Sequence, residues 1–176
     1  MKTFFLNFLI TLISCSFLSS AHSEDKKSNL TEVNFFTGVF DFSDENQKGR
    51  LFGFQHQNDD LFRDGFLGKI SPITGGFLTD NNAAYVYSGA QAEYNLGRLS
   101  ITPSFAPGYY HTAGNAKGGD AKDLGSALEF KTEVQMSLNL SDSMEFGMSY
   151  NHISNANLGE KNPGANSYMV NFVKKF

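Results

Sequence analysis

His152 and Ser154 are the residues of this 176-residue chain whose types and spacing best suit chemistry. A serine hydroxyl attacks an ester poorly while it keeps its proton, and an imidazole beside it can take that proton near neutral pH. On an extended strand, residues two apart project from one face, so the two side chains can meet. Ester cleavage by such a pair calls for no metal and no organic cofactor. His56 and His111 have no partners at metal-ligand spacing and read as ordinary strand or rim residues.

The element that must carry the pair is a strand. Met144, Phe146, Met148, Tyr150 and His152 share one parity and Glu145, Gly147, Ser149 and Asn151 the other, so one face is apolar and the other polar or small. After a turn-rich loop the alternation resumes, and Tyr168, Val170 and Phe172 again make the even-numbered face the more apolar. Ser154 and Asn166 share that parity with His152. A soluble protein has little reason to place polar groups there. In a barrel whose apolar face meets lipid, the same groups at the strand tips stand among head groups and upper acyl chains.

Similar alternation predicts strands over 30–40, 50–57, 66–77, 83–94, 98–110, 126–139 and from 144 to His152, with a last one ending at Phe176. The strand over 66–77 is expected to be irregular, because Pro72 and the Gly75-Gly76 pair suit a bulge or a rim. Eight strands of roughly ten residues fit an all-β, eight-stranded antiparallel transmembrane β-barrel, each strand being long enough to cross a membrane at a tilt. An even strand count puts both chain termini on the periplasmic side. The turns at 95–97 and 140–142 are then periplasmic, and the loops at 41–49, 79–82, 112–125 and 153–165 external. The glycine-rich run 112–125 is polar, lacks a GxxxxGK[ST] pattern, and reads as a mobile surface loop.

Composition agrees. The chain has 18 Phe and 7 Tyr, and its mean hydropathy of -0.29 is what strands alternating apolar with polar residues produce. A net charge of -4, with 14 Lys and Arg spread along the chain rather than clustered, gives no basic patch of the kind that binds nucleic acid, and no nucleic-acid partner is expected. Lys2, the apolar run from Phe4 to Leu18 and the small residues up to Ser23 form a secretory signal, so residues 1–23 are expected to be removed and 24–176 to form the barrel. The lone Cys15 lies inside that signal, so the mature chain is expected to lack a thiol; Leu12-Ile13-Ser14-Cys15 also resembles a lipoprotein box, the alternative in which an acylated Cys15 becomes the first residue. Phe176, preceded by alternating aromatic and apolar residues, looks like the terminal signal of proteins folded into a Gram-negative outer membrane.

The stretch His152-Ile153-Ser154-Asn155-Ala156, followed by Asn162-Pro163-Gly164, resembles the outer-membrane lipid A 3-O-deacylases of the PagL type. The likeness is strongest over residues 146–176, and the Ser71-Pro72 and Gly75-Gly76 segment is compatible with it. The resemblance implies an eight-stranded barrel in the outer membrane that hydrolyses the ester holding the 3-position hydroxyacyl chain of lipid A, the lipid anchor of lipopolysaccharide. It implies Ser154 as nucleophile, His152 as base, and oxyanion support from Asn162 and the backbone N–H of Asn157. One good oxyanion donor contributes roughly 3–4 kcal/mol. The family's third catalytic residue is a glutamate that orients the histidine; the matching position here is Asn166, which can orient an imidazole through its side-chain oxygen but carries no charge. Glu160 in the same loop is the alternative carboxylate. A barrel of the same descent with weakened or lost catalysis and a structural or adhesive role is the competing reading, and a small soluble barrel holding a ligand inside is a third. A homodimer is left open.

Overall fold

The computed structural model describes residues 31–44, 47–58, 63–65, 68–112 and 121–176. The expected signal at 1–23 lies outside them. Nine strands follow in chain order: β1 (Thr31–Phe40), β2 (Gly49–Asn58), the short β3 (Arg63–Gly65), β4 (Gly68–Thr79), β5 (Ala83–Leu96), β6 (Leu99–Thr112), β7 (Leu128–Ser141), β8 (Met144–Ser154) and β9 (Ala165–Lys175). Each long strand pairs antiparallel with two neighbours, β1 with both β2 and β9, and β2 with β4, so the eight long strands close into a barrel. Closure leaves no long strand with an unpaired edge, which is what a sheet needs to survive in hydrocarbon. β3 adds only a short hairpin to the foot of β4.

The expected irregularity around Pro72 is absent: β4 pairs with β5 in unbroken register from Lys69 to Leu78. On its other side β4 changes partner, from β3 up to Ile70 to β2 from Ile73 onward. Pro72 sits in that gap, where its missing N–H costs no ladder bond. In β6 the pairing with β5 lapses opposite Pro103 and Pro107 and resumes in the same register.

Burial alternates along the wall. Outward positions carry Phe35, Phe52, Phe54, Leu78, Val86, Phe105, Val134, Met136, Phe146, Met148, Val170 and Phe172, all exposed. By this alternation, the outward charges on the described strand faces are Arg50 and Lys174, at opposite ends of the barrel. A Lys or Arg at mid-height would cost about 2–4 kcal/mol in a bilayer, so this distribution is that of a lipid-facing wall. Inward positions fill the lumen. Near the hairpin turns Lys175 pairs with Glu145 at 2.7 Å and Glu32 at 3.1 Å, and Asn34 donates to Gln135 and Asn171, each at 3.0 Å. Midway, the Lys131 ammonium lies 4.0 Å from the centre of the Tyr87 ring and 3.3 Å from Glu133. Toward the loops an apolar cluster takes over, including Phe36, Phe40, Leu51, Ile73, Phe77, Tyr85 and Tyr110. A barrel built to hold a ligand needs a hollow, and these side chains occupy that space.

The end of the glycine-rich run departs from the expected surface loop. Residues 113–120 lie outside the described residues, but Leu124 is 1% exposed within the apolar cluster and Lys122 is buried in an ion pair with Asp41. An apolar side chain and a charge pair draw this segment over the barrel mouth. Its polar composition conceals that.

Candidate active site

β8 rises to the loop end of the barrel and delivers His152 and Ser154 there, both half-buried and on the same outward parity as exposed Met148 and Tyr150. The parity expected from the sequence therefore holds, with Asn151 and Ile153 between them facing inward and buried. His152 lies directly across from Asn166 on β9 and Thr132 on β7, and Ser154 lies across from Phe130. Cross-strand partners on one face are near enough for side chains to touch. Here they do: His152 Nδ1 and Asn166 Oδ1 are 2.9 Å apart. The Ser154 hydroxyl makes no hydrogen bond among the described residues, so the expected contact with the imidazole is not formed here.

Gly164 closes the ring's other side. A Cβ built there would lie 2.8 Å from His152 Cε1, and its φ of +63° lies in the left-handed region that glycine tolerates. Any side chain at 164 would press on the imidazole. Glu160, the alternative orienting carboxylate, is exposed and forms no ion pair or hydrogen bond among the described residues. Asn166 is the group that meets the histidine.

The loop after Ser154 starts with a tight reversal. Ala156 and Asn157 have φ of +53° and +61°, and the Leu158 N–H donates to the Asn155 carbonyl at 3.0 Å. Two central residues with positive φ and an i to i+3 bond are the marks of a type I′ turn, whose central N–H groups take no part in its own closure. An alanine held there is strained, and such strain gathers at functional sites. Asn162 folds back on this turn: its Oδ1 accepts from the Asn155 N–H at 3.1 Å and its Nδ2 donates to Asn157 Oδ1 at 3.2 Å. Asn162 and Asn157, both singled out from the sequence, are thus adjacent, and Asn162 is bonded to the backbone of Asn155, the residue after Ser154.

Three supports were not expected. Fully buried Asn155 donates through Nδ2 to the carbonyls of Leu124 and Lys161, pinning two loops to the tip of β8. Lys161 also bridges to Asp123 at 2.8 Å and holds that carboxyl below the usual range. Tyr150, one outward step below His152, donates to Asn166 Oδ1 at 2.7 Å and packs edge-on to Phe42, which stacks on Tyr168. On the opposite flank Phe130 stacks on Phe105, with ring centres 6.0 Å apart. His152 and Ser154 thus stand between two aromatic surfaces on an open wall.

Residues 82–175, more than half of the chain, match the family model described as lipid A 3-O-deacylase (PagL). The crystal structure of the outer membrane enzyme PagL superposes with a TM-score of 0.62 at 18% identity, covering 82% of this chain and 99% of that one. Neisserial surface protein A gives 0.54 at 8% identity, over 87% of this chain and 100% of that one. A de novo designed transmembrane β-barrel gives 0.53 at 9% identity, over 86% and 99%. At these identities the structural likeness speaks to the fold. A comparison with curated proteins gives no match.

Proposed function

Since the chain belongs to the lipid A 3-O-deacylase (PagL) family, we propose that it hydrolyses the ester holding the 3-position hydroxyacyl chain of lipid A. The reaction takes place in the outer leaflet of a Gram-negative outer membrane, after removal of the leader at 1–23. Ser154 is the nucleophile and His152 the general base. The observation that carries this reading is that both side chains face outward at the loop end of a lipid-facing wall, with Asn166 against Nδ1 of the imidazole. A lipid ester reaches such a pair by lateral diffusion, and no enclosed pocket is required.

The chemistry follows from that arrangement. With Nδ1–H held by Asn166 Oδ1, Nε2 keeps the lone pair that accepts the Ser154 proton as Oγ adds to the ester carbonyl. The oxyanion that forms is met by the Asn157 N–H and Asn162 Nδ2. Collapse expels the 3-hydroxyl of the sugar, which takes the proton from the imidazolium. Water, deprotonated by His152 in turn, then releases the hydroxy fatty acid from Ser154. Phe130 and Phe105 beside Ser154 offer the departing acyl chain an apolar surface.

The test is direct. Purified protein in detergent, incubated with lipid A, is expected to release one ester-linked hydroxyacyl chain and leave the amide-linked chains in place, read by mass spectrometry. Intact lipid A from protein that migrates as a folded, heat-modifiable barrel would refute the proposal.

A further inference from the structure

The orientation of Asn166 is imposed from outside the site. Asp41, fully buried and paired with Lys122, follows β1 with a φ of +49°, and the segment it begins is tied to β9 by the Phe42 N–H donating to the Asn166 carbonyl at 3.0 Å. Asp41 Oδ1 accepts from the Ser43 hydroxyl at 3.0 Å and from the Asn166 backbone N–H at 3.4 Å. Ser43 Oγ in turn lies 3.5 Å from Asn166 Nδ2.

Hydrogen-bond direction propagates through this chain. A carboxylate can only accept, so the single proton of the Ser43 hydroxyl goes to Asp41. Toward Asn166, Ser43 can then offer only a lone pair, and the amide must present its NH₂ to Ser43 and its oxygen to the other side. That oxygen accepts the Tyr150 hydroxyl and faces His152 Nδ1, which is left with one role, donor. The imidazole proton is thereby placed on Nδ1 and the lone pair on Nε2, the side that serves Ser154. Turning the amide over would leave its oxygen facing a hydroxyl already committed to Asp41, and would offer NH₂ to Nδ1, forcing the imidazole proton onto Nε2.

We propose that Asp41 and Ser43, with Tyr150, are positioning residues that act through Asn166 to fix the tautomer of His152. A neutral amide thereby takes over the orienting part of a carboxylate's role. The inference rests on the Ser154 and His152 reading of the site, but its test does not need turnover.

The experiment is nitrogen NMR on the full barrel in micelles with ¹⁵N-labelled histidine, the His152 signals being assigned by their loss in His152→Gln. The neutral ring is expected as the Nδ1–H form in the parent and in Ser43→Thr, and as a mixture of tautomers in Ser43→Ala. Ser43 is exposed, so its truncation is not expected to unfold the barrel. In the deacylation assay Ser43→Ala should lower kcat about tenfold at unchanged KM, a small part of the roughly 10²–10⁴-fold that a positioned general base contributes. That loss should be much smaller in an Asn166→Glu background, because a carboxylate accepts whichever way it is turned. An Nε2–H ring in the parent, a ring unaffected by Ser43→Ala, or equal losses in both backgrounds would overturn the proposal. A parent barrel that cleaves nothing yet shows the Nδ1–H ring lost in Ser43→Ala would refute the proposed activity and uphold the positioning chain.

Discussion

Ser154→Ala is expected to lower deacylation by about 10²–10³-fold, and the size of that drop is itself informative. In a serine protease with an intact triad, losing the nucleophile costs roughly 2 × 10⁶ in kcat, and losing the orienting aspartate alone costs roughly 3 × 10⁴. Here the orienting group is Asn166, which holds the imidazole at 2.9 Å but brings no charge to the imidazolium. The serine has less catalysis to lose. The oxyanion donors and substrate binding persist in the variant and set the floor. Released hydroxy fatty acid, followed over time with parent and variant at equal folded concentration, gives the ratio. A drop of roughly 10⁶ would mean that some other charge already does the work of the absent carboxylate.

Asn166→Glu is expected to raise the rate by about 10²–10³-fold, roughly 3–4 kcal/mol of transition-state stabilisation. The Asp-to-Asn change in a serine protease costs about 10⁴, much of it through the wrong tautomer. The chain from Asp41 through Ser43 already supplies the correct tautomer, so only the electrostatic share remains to be recovered. Position 166 is half-buried and faces outward, which gives the longer side chain room to reach Nδ1. Single-turnover rates on parent and variant check this. Equal rates would mean that the amide is as good as a carboxylate here, and a gain from no detectable activity would favour the reading in which the parent is a structural barrel that has lost its chemistry.

The barrel and the outward face of β8 and β9 were legible because membrane strands carry a strict period of two. Phe146, Met148 and Tyr150 on one parity with Glu145, Ser149 and Asn151 on the other mark a strand with one apolar face, and it is the polar parity that the closed wall turns inward and buries. The strand containing Pro72 was harder to read, since the sequence cannot show that β4 changes partner from β3 to β2 at that point. The lid at 121–125 was hidden for a similar reason: burial of Lys122 depends on Asp41, 81 positions away. Of the site, His152, Ser154, Asn157, Asn162 and Asn166 lie within fifteen residues and were visible as a motif. Ser43 and Asp41 were not, because only the β1 and β9 pairing brings them to Asn166. Tyr150 counted simply as an apolar outward residue. Its hydroxyl gained a role only once Asn166 stood across from His152.

Labelling with a fluorophosphonate carrying a long alkyl chain tests most directly whether an activated serine stands at the outer rim. The folded barrel is expected to be modified once, at Ser154 by tandem mass spectrometry, with labelling lost in His152→Gln and accelerated in Asn166→Glu. Modification at another serine, or none at all in a folded barrel that still releases hydroxy fatty acid, would contradict the mechanism.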